Sequence, residues 1–164
     1  MRRSYPVALG GVFAALAVVI MTLGGLIPVA TYVCPVLCSV LLFFVIRICG
    51  NRIGWAWFIA VAILSVLLSP DKEAAAVFSA LGYYPIIKPK MDKSRLRWLW
   101  KALLFNAVTI LLYYVLIYIF GMQYIAAEYK ELGTVGLIVT LLLGNLCFFM
   151  MDRVLFMMEI KFHR

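Results

Sequence analysis

The 164-residue chain is 66% hydrophobic and 13% charged, carries a formal charge of +8 and has a mean hydropathy of +1.07. One domain of that length has no interior large enough to hide so much apolar surface, which excludes a soluble globular protein and implies the membrane class. The basic excess does not point to nucleic acid, because the charges fall in short gaps between apolar runs and form no continuous basic face.

Taken in order, the first apolar run covers residues 5–27. It follows two arginines and imitates a signal peptide, but its 23 residues exceed a signal core and no A-x-A site follows. It is expected to be a retained first span. Within "ALGGVFAALAVVIMTLGG", Gly10–Ala14 and Gly11–Ala15 are two small-xxx-small pairs, which let another helix approach closely in lipid. The second run, 31–46, holds Cys34 and Cys38 one turn apart, which is read as small apolar packing rather than a metal or redox pair. The third run is 53–69.

The fourth segment, 72–88, decides the topology. Its uncharged stretch, Ala74–Ile87, has 14 residues, short of the roughly 20 that a spanning helix needs. Counting from Pro70 to Lys88 gives 19 residues, about 28 Å as helix, and Lys72 and Lys88 can snorkel outward from its ends. Pro85 predicts a kink near the inner end. The fifth run, 100–120, carries Asn106, Tyr114 and Tyr118, and the sixth, 132–152, carries Asn145. The two asparagines are expected to hydrogen-bond between helices. Asp152 is expected to meet an arginine of another inner loop, Arg47 or Arg52.

Charge counting supports six crossings. If segment 72–88 spans, 13 basic residues lie on one side and 2, Lys72 and Lys130, on the other. The positive-inside rule then makes the first side cytoplasmic, with both termini there. If the segment loops back, the cluster from Lys88 to Lys101 faces outward and the bias collapses. The expected architecture is therefore an all-α membrane protein, a single integral membrane domain over residues 1–164 with six transmembrane helices.

The residues argue against catalysis. The single histidine is His163, so Ser-His and His-metal arrangements inside the spans are excluded, and there is no G-x-x-x-x-G-K-[ST] loop for nucleotide hydrolysis. No enzyme activity, metal or cofactor is expected. Tyrosines near the outer surface suit either an interfacial belt or a small-molecule pocket. Tyr114 and Tyr118, at i and i+4, share one helix face and are the better pocket candidates.

Six short spans in under 200 residues, cytoplasmic ends and the alanine-rich opening "ALGGVFAALAVVI" resemble the substrate-binding S components of energy-coupling factor (ECF) vitamin transporters. The resemblance covers the whole chain in architecture and the first span in motif. It implies a bacterial cytoplasmic-membrane subunit that binds a vitamin-like small molecule near the outer face. It also implies partners, a transmembrane coupling subunit and ATPase subunits, with the coupling subunit docking on Gly10, Gly11, Ala14 and Ala15. At the depth of that family's pocket lie Tyr32, Asp71, Tyr118 and Gln123. The other reading of the residues is a structural or accessory membrane protein whose small-residue faces and basic inner loops serve assembly alone. The first predicts a partly polar cavity in the outer half, the second a packed bundle.

Overall fold

Backbone polar groups in lipid must be satisfied within their own segment, and the chain is helical accordingly. The computed structural model describes residues 4–24, 30–93, 95–118, 121 and 123–162, without the side chains of 4, 123–137, 140, 143 and 162. Among these residues there are seven α-helices and no strand: α1 Ser4–Gly24, α2 Ala30–Cys49, α3 Asn51–Leu68, α4 Lys72–Leu81, α5 Tyr84–Met91, α6 Arg97–Tyr118 and α7 Gln123–Phe162. Four of them, α1, α2, α3 and α6, are long and apolar enough to cross a membrane. Their outward faces carry Val12, Leu16, Val19, Ile59, Ile63, Leu103, Ile110 and Leu111, all exposed. Continuous apolar surface of this kind belongs against lipid rather than water.

The helices fall into two compact units, Met1–Lys93 and Ser94–Arg164. In the first, contacts between helix ends fix the topology. Gly10 of α1 faces Ile53 at the start of α3, and Ser69, just after α3, donates to the Met21 carbonyl near the end of α1. The thiol of Cys49, ending α2, reaches the Pro6 carbonyl near the start of α1. Helices α1 and α3 therefore run the same way and α2 runs opposite. One residue, Gly50, reverses the chain between α2 and α3. Its φ of 89° lies in the left-handed region open to glycine, and its N–H closes the helix on the Ile46 carbonyl at 3.0 Å. The core gathers Ala17, Met21, Cys34, Cys38, Leu42, Val45, Trp57, Phe58 and Val61 from these three helices.

The predicted fourth span is two short helices, α4 and α5, packed on α2 and α3. The break falls at Gly82–Tyr83, not at Pro85. Proline at the first turn of a helix loses no bond that would otherwise form there, so Pro85 starts α5 instead of bending one long helix. Gly82 closes α4 with its N–H on the Phe78 carbonyl at 2.7 Å. A Cβ at this position would meet that carbonyl oxygen at 2.5 Å and the Phe78 ring at 2.6 Å. Phe78 and Tyr84, on either side of the break, are fully buried.

In the second unit, α6 and α7 form an antiparallel pair, with Phe105 against Phe148 at 5.0 Å between ring centres. The stretch between the fifth and sixth apolar runs is helical from Gln123, and α7 runs 40 residues without a break. Its Ala, Glu, Lys and Gln content favours helix and it holds no proline, so its charges do not interrupt it. At 1.5 Å per residue α7 is about 60 Å long, twice the hydrocarbon thickness, and the expected span 132–152 is its central part.

Candidate functional site

The residues that join the start of α2, the end of α3 and the start of α4 form a hydrogen-bonded cap. Asp71 precedes α4, and one carboxylate oxygen accepts the Ala74 N–H at 3.0 Å. That is the N-cap geometry that satisfies a donor left over in the first turn. Its other oxygen accepts from the Thr31 hydroxyl of α2 at 2.7 Å. The Ser69 hydroxyl reaches the Asp71 carbonyl at 3.1 Å, and Lys72 donates to the Val66 carbonyl at 2.8 Å. Tyr32, largely exposed, donates through its hydroxyl to Glu73 at 2.9 Å. These bonds tie the start of α2 and the end of α3 to the start of α4. Both Asp71 oxygens are engaged in that tie, so Asp71 serves as a structural cap of α4.

On α1, the four small residues divide between two faces. Gly10 is buried, and a Cβ there would sit 3.6 Å from Ile53. Ala14 is partly buried against the core. Gly11 and Ala15 are exposed, and a Cβ on Gly11 would meet nothing within 4 Å. Successive helix positions point about 100° apart, so the Gly10–Ala14 pair packs inside the unit while Gly11–Ala15 leaves an open, low-relief strip.

Tyr114 and Tyr118 lie on α6 with their ring centres 4.6 Å apart, and they are 58% and 72% exposed. Each ring covers the other. Tyr32 and Asp71 belong to the first unit and the tyrosine pair to the second. Gln123 opens α7, and its side chain lies outside the described residues.

No family model matches this chain, and no characterised protein or solved structure matches it.

The deepest polar contacts were only partly foreseen. Lys101 donates to both oxygens of Asp152, at 3.0 and 2.8 Å, so Asp152 pairs across the hairpin with α6. Both groups are buried. Asn145 donates to Asn106 at 2.8 Å and to its own Leu141 carbonyl at 2.8 Å, the expected helix-to-helix bond. One signal was available beforehand. In an antiparallel pair, moving back from Asn106 by five residues to Lys101 goes the same way as moving on from Asn145 by seven, about two turns, to Asp152. Lys88, counted as an inner-loop cation, is buried and paired with Asp92 at 2.7 Å. Cys34 and Cys38 are buried free thiols; the Cys38 thiol points at the Ala17 carbonyl at 3.6 Å. Among the described residues, Trp57 Nε1 and Ser65 Oγ, both on α3, are buried without a hydrogen-bond partner. Buried polar atoms ordinarily have partners, so these two are unspent capacity inside the first unit.

Proposed function

We propose that the chain is the membrane-embedded binding subunit of an ECF-type uptake system, capturing a small vitamin-like solute and passing it on with a coupling subunit and ATPase subunits. The observation that carries this reading is the open Gly11–Ala15 strip on α1. In lipid, helices associate by close packing of small residues, and this strip is left free by the chain's own packing while the neighbouring Gly10–Ala14 face is used inside. A chain with no nucleotide-binding motif needs a partner to energise transport, and a partner helix fits such a strip. The unpartnered Trp57 Nε1 and Ser65 Oγ offer polar groups to a solute. In this reading the protein is no enzyme, lies in the bacterial cytoplasmic membrane with six crossings, and has both ends inside.

The test has two arms. Mass spectrometry of the purified protein should find a co-purifying small molecule. Gly11→Leu and Ala15→Leu should abolish association with coupling subunits from the same organism while the chain still inserts. Wild-type association by both variants would remove the basis of the proposal.

The exposure of Tyr114 and Tyr118 favours a second reading, a structural or accessory membrane protein with no solute site. Two rings stacked on each other at the surface are what an interfacial belt contains. Absence of any bound solute in the purified protein would select that reading.

A further inference from the structure

One end of the α6–α7 hairpin carries charge that its packing does not use. The pairs Lys101–Asp152 and Asn106–Asn145 run antiparallel, so residues before Lys101 and residues after Asp152 lie at the same end. Lys101 and Asp152 neutralise each other there. Arg95, Arg97, Arg153 and Lys161 are all exposed and make no ion pair among the described residues. Apart from Asp152, the acid at this end among the described residues is Glu159. Among the described residues, four exposed cations thus outnumber the two acids at this end, Asp152 and Glu159.

Their surroundings are apolar. Trp98 and Trp100, in the first turn of α6, are 54% and 53% exposed. Leu96 and Leu99 beside them are exposed as well, and so are Val154, Phe156, Met157 and Ile160 on α7. Helix α6 has the length and hydropathy to cross a membrane, so these tryptophans stand where it enters. Tryptophan at such a boundary sits at headgroup level, and arginine and lysine stems lie along apolar surface with their charges directed outward. An acidic soluble partner would balance the charge and leave the Trp, Leu and Met surface uncovered. A lipid with an anionic headgroup covers both.

We propose that this end of the hairpin binds anionic phospholipid. Arg95, Arg97, Arg153 and Lys161 hold the headgroup phosphates, and the acyl chains lie against Trp98, Trp100 and Leu99. Guanidinium groups suit phosphate through paired N–H donors, and clustered basic residues next to a membrane helix are drawn to anionic leaflets.

The experiment reconstitutes the full chain in phosphatidylcholine bilayers and measures, by electron spin resonance, its selectivity for spin-labelled phosphatidylglycerol over spin-labelled phosphatidylcholine. Each basic residue at an anionic surface contributes about fivefold, so the wild type should prefer phosphatidylglycerol by about fivefold or more. The preference should fall to near unity in R95Q/R97Q/R153Q/K161Q, and in the wild type at about 1 M salt, where charges are screened within about 3 Å. An unchanged preference in the fourfold variant overturns the proposal, as does a wild type with none. If the fourfold variant does not insert, R95Q/R97Q and R153Q/K161Q are measured separately; each should lose part of the preference, and no loss in either overturns it. A wild type that shows no lipid preference but binds polyglutamate, with that binding lost in the variant, would make this a protein-docking surface and refute the lipid assignment.

Discussion

Replacing Asp152 with Asn keeps its shape and removes the charge that Lys101 was folded against. Lys101 Nζ lies 3.0 and 2.8 Å from the two Asp152 oxygens, and the side chains are 5% and 12% exposed. With an effective dielectric constant of about 20, opposite unit charges 2.8 Å apart attract by roughly 6 kcal/mol before desolvation. Desolvation of both groups offsets most of that, so the intact pair contributes little over a well-packed apolar pair. Breaking it is different, because an ammonium group stays buried without its counter-charge, at a cost of about 3–5 kcal/mol. Asp152→Asn should therefore destabilise the protein by about 3 kcal/mol or more. The double substitution Lys101→Met with Asp152→Leu should return to within about 1 kcal/mol of wild type. Denaturant titration of the full chain in detergent micelles, followed by helicity, measures all the variants. A cost for Asp152→Asn below about 0.5 kcal/mol, the size of an ordinary surface change, would refute the reasoning. A double variant no more stable than Asp152→Asn alone would do the same.

Asp71→Ala removes an N-cap acceptor and the Thr31 bond together and should cost about 1–2 kcal/mol in the same titration, whereas a solvated turn residue would cost almost nothing. Gly82→Ala should destabilise more than an ordinary Gly→Ala change, because its Cβ meets the Phe78 carbonyl oxygen and ring; a gain in stability would show that α4 and α5 can join. Gly10→Leu should impair folding of the chain by itself, since α3 lies behind it, while Gly11→Leu leaves the melting curve of the isolated protein unchanged. A reporter fused after Lys93 should read as cytoplasmic, and an exterior signal would mean that the α4–α5 segment does not cross.

The long spans were legible because their signal is gross: four helices match apolar runs within a few residues. The α4–α5 break was not, because it depends on Phe78 lying across the backbone at Gly82, a contact that residue-by-residue hydropathy does not carry. The start of α7 was misread for a related reason. Hydropathy starts the sixth run at 132, but the charges in "AAEYKELG" end only the apolar part of a longer helix. At the candidate site, the Gly11–Ala15 and Gly10–Ala14 pairs were equivalent in sequence, and only the position of α3 separates them. Asp71 enters the sequence reading only by its depth, yet an aspartate just before an alanine-rich helix is also an N-cap pattern, the role it has in the structure.

The buried lysines bear on the orientation argument itself. Of the 13 basic residues assigned to the inner side, Lys88 and Lys101 are spent inside the fold, each paired with an aspartate. Withdrawing them leaves 11 against 2, so the bias that supports six crossings does not depend on these two. What changes is the chemistry available at the surface. A neutralised buried lysine presents no charge to a lipid headgroup, while an exposed arginine beside tryptophan does. Arg95, Arg97, Arg153 and Lys161 belong to the second kind. Their exposure leaves them available to an anionic headgroup. If that is right, neutralising these four should abolish the phosphatidylglycerol preference while seven inner basic residues still outnumber two outside and hold the topology.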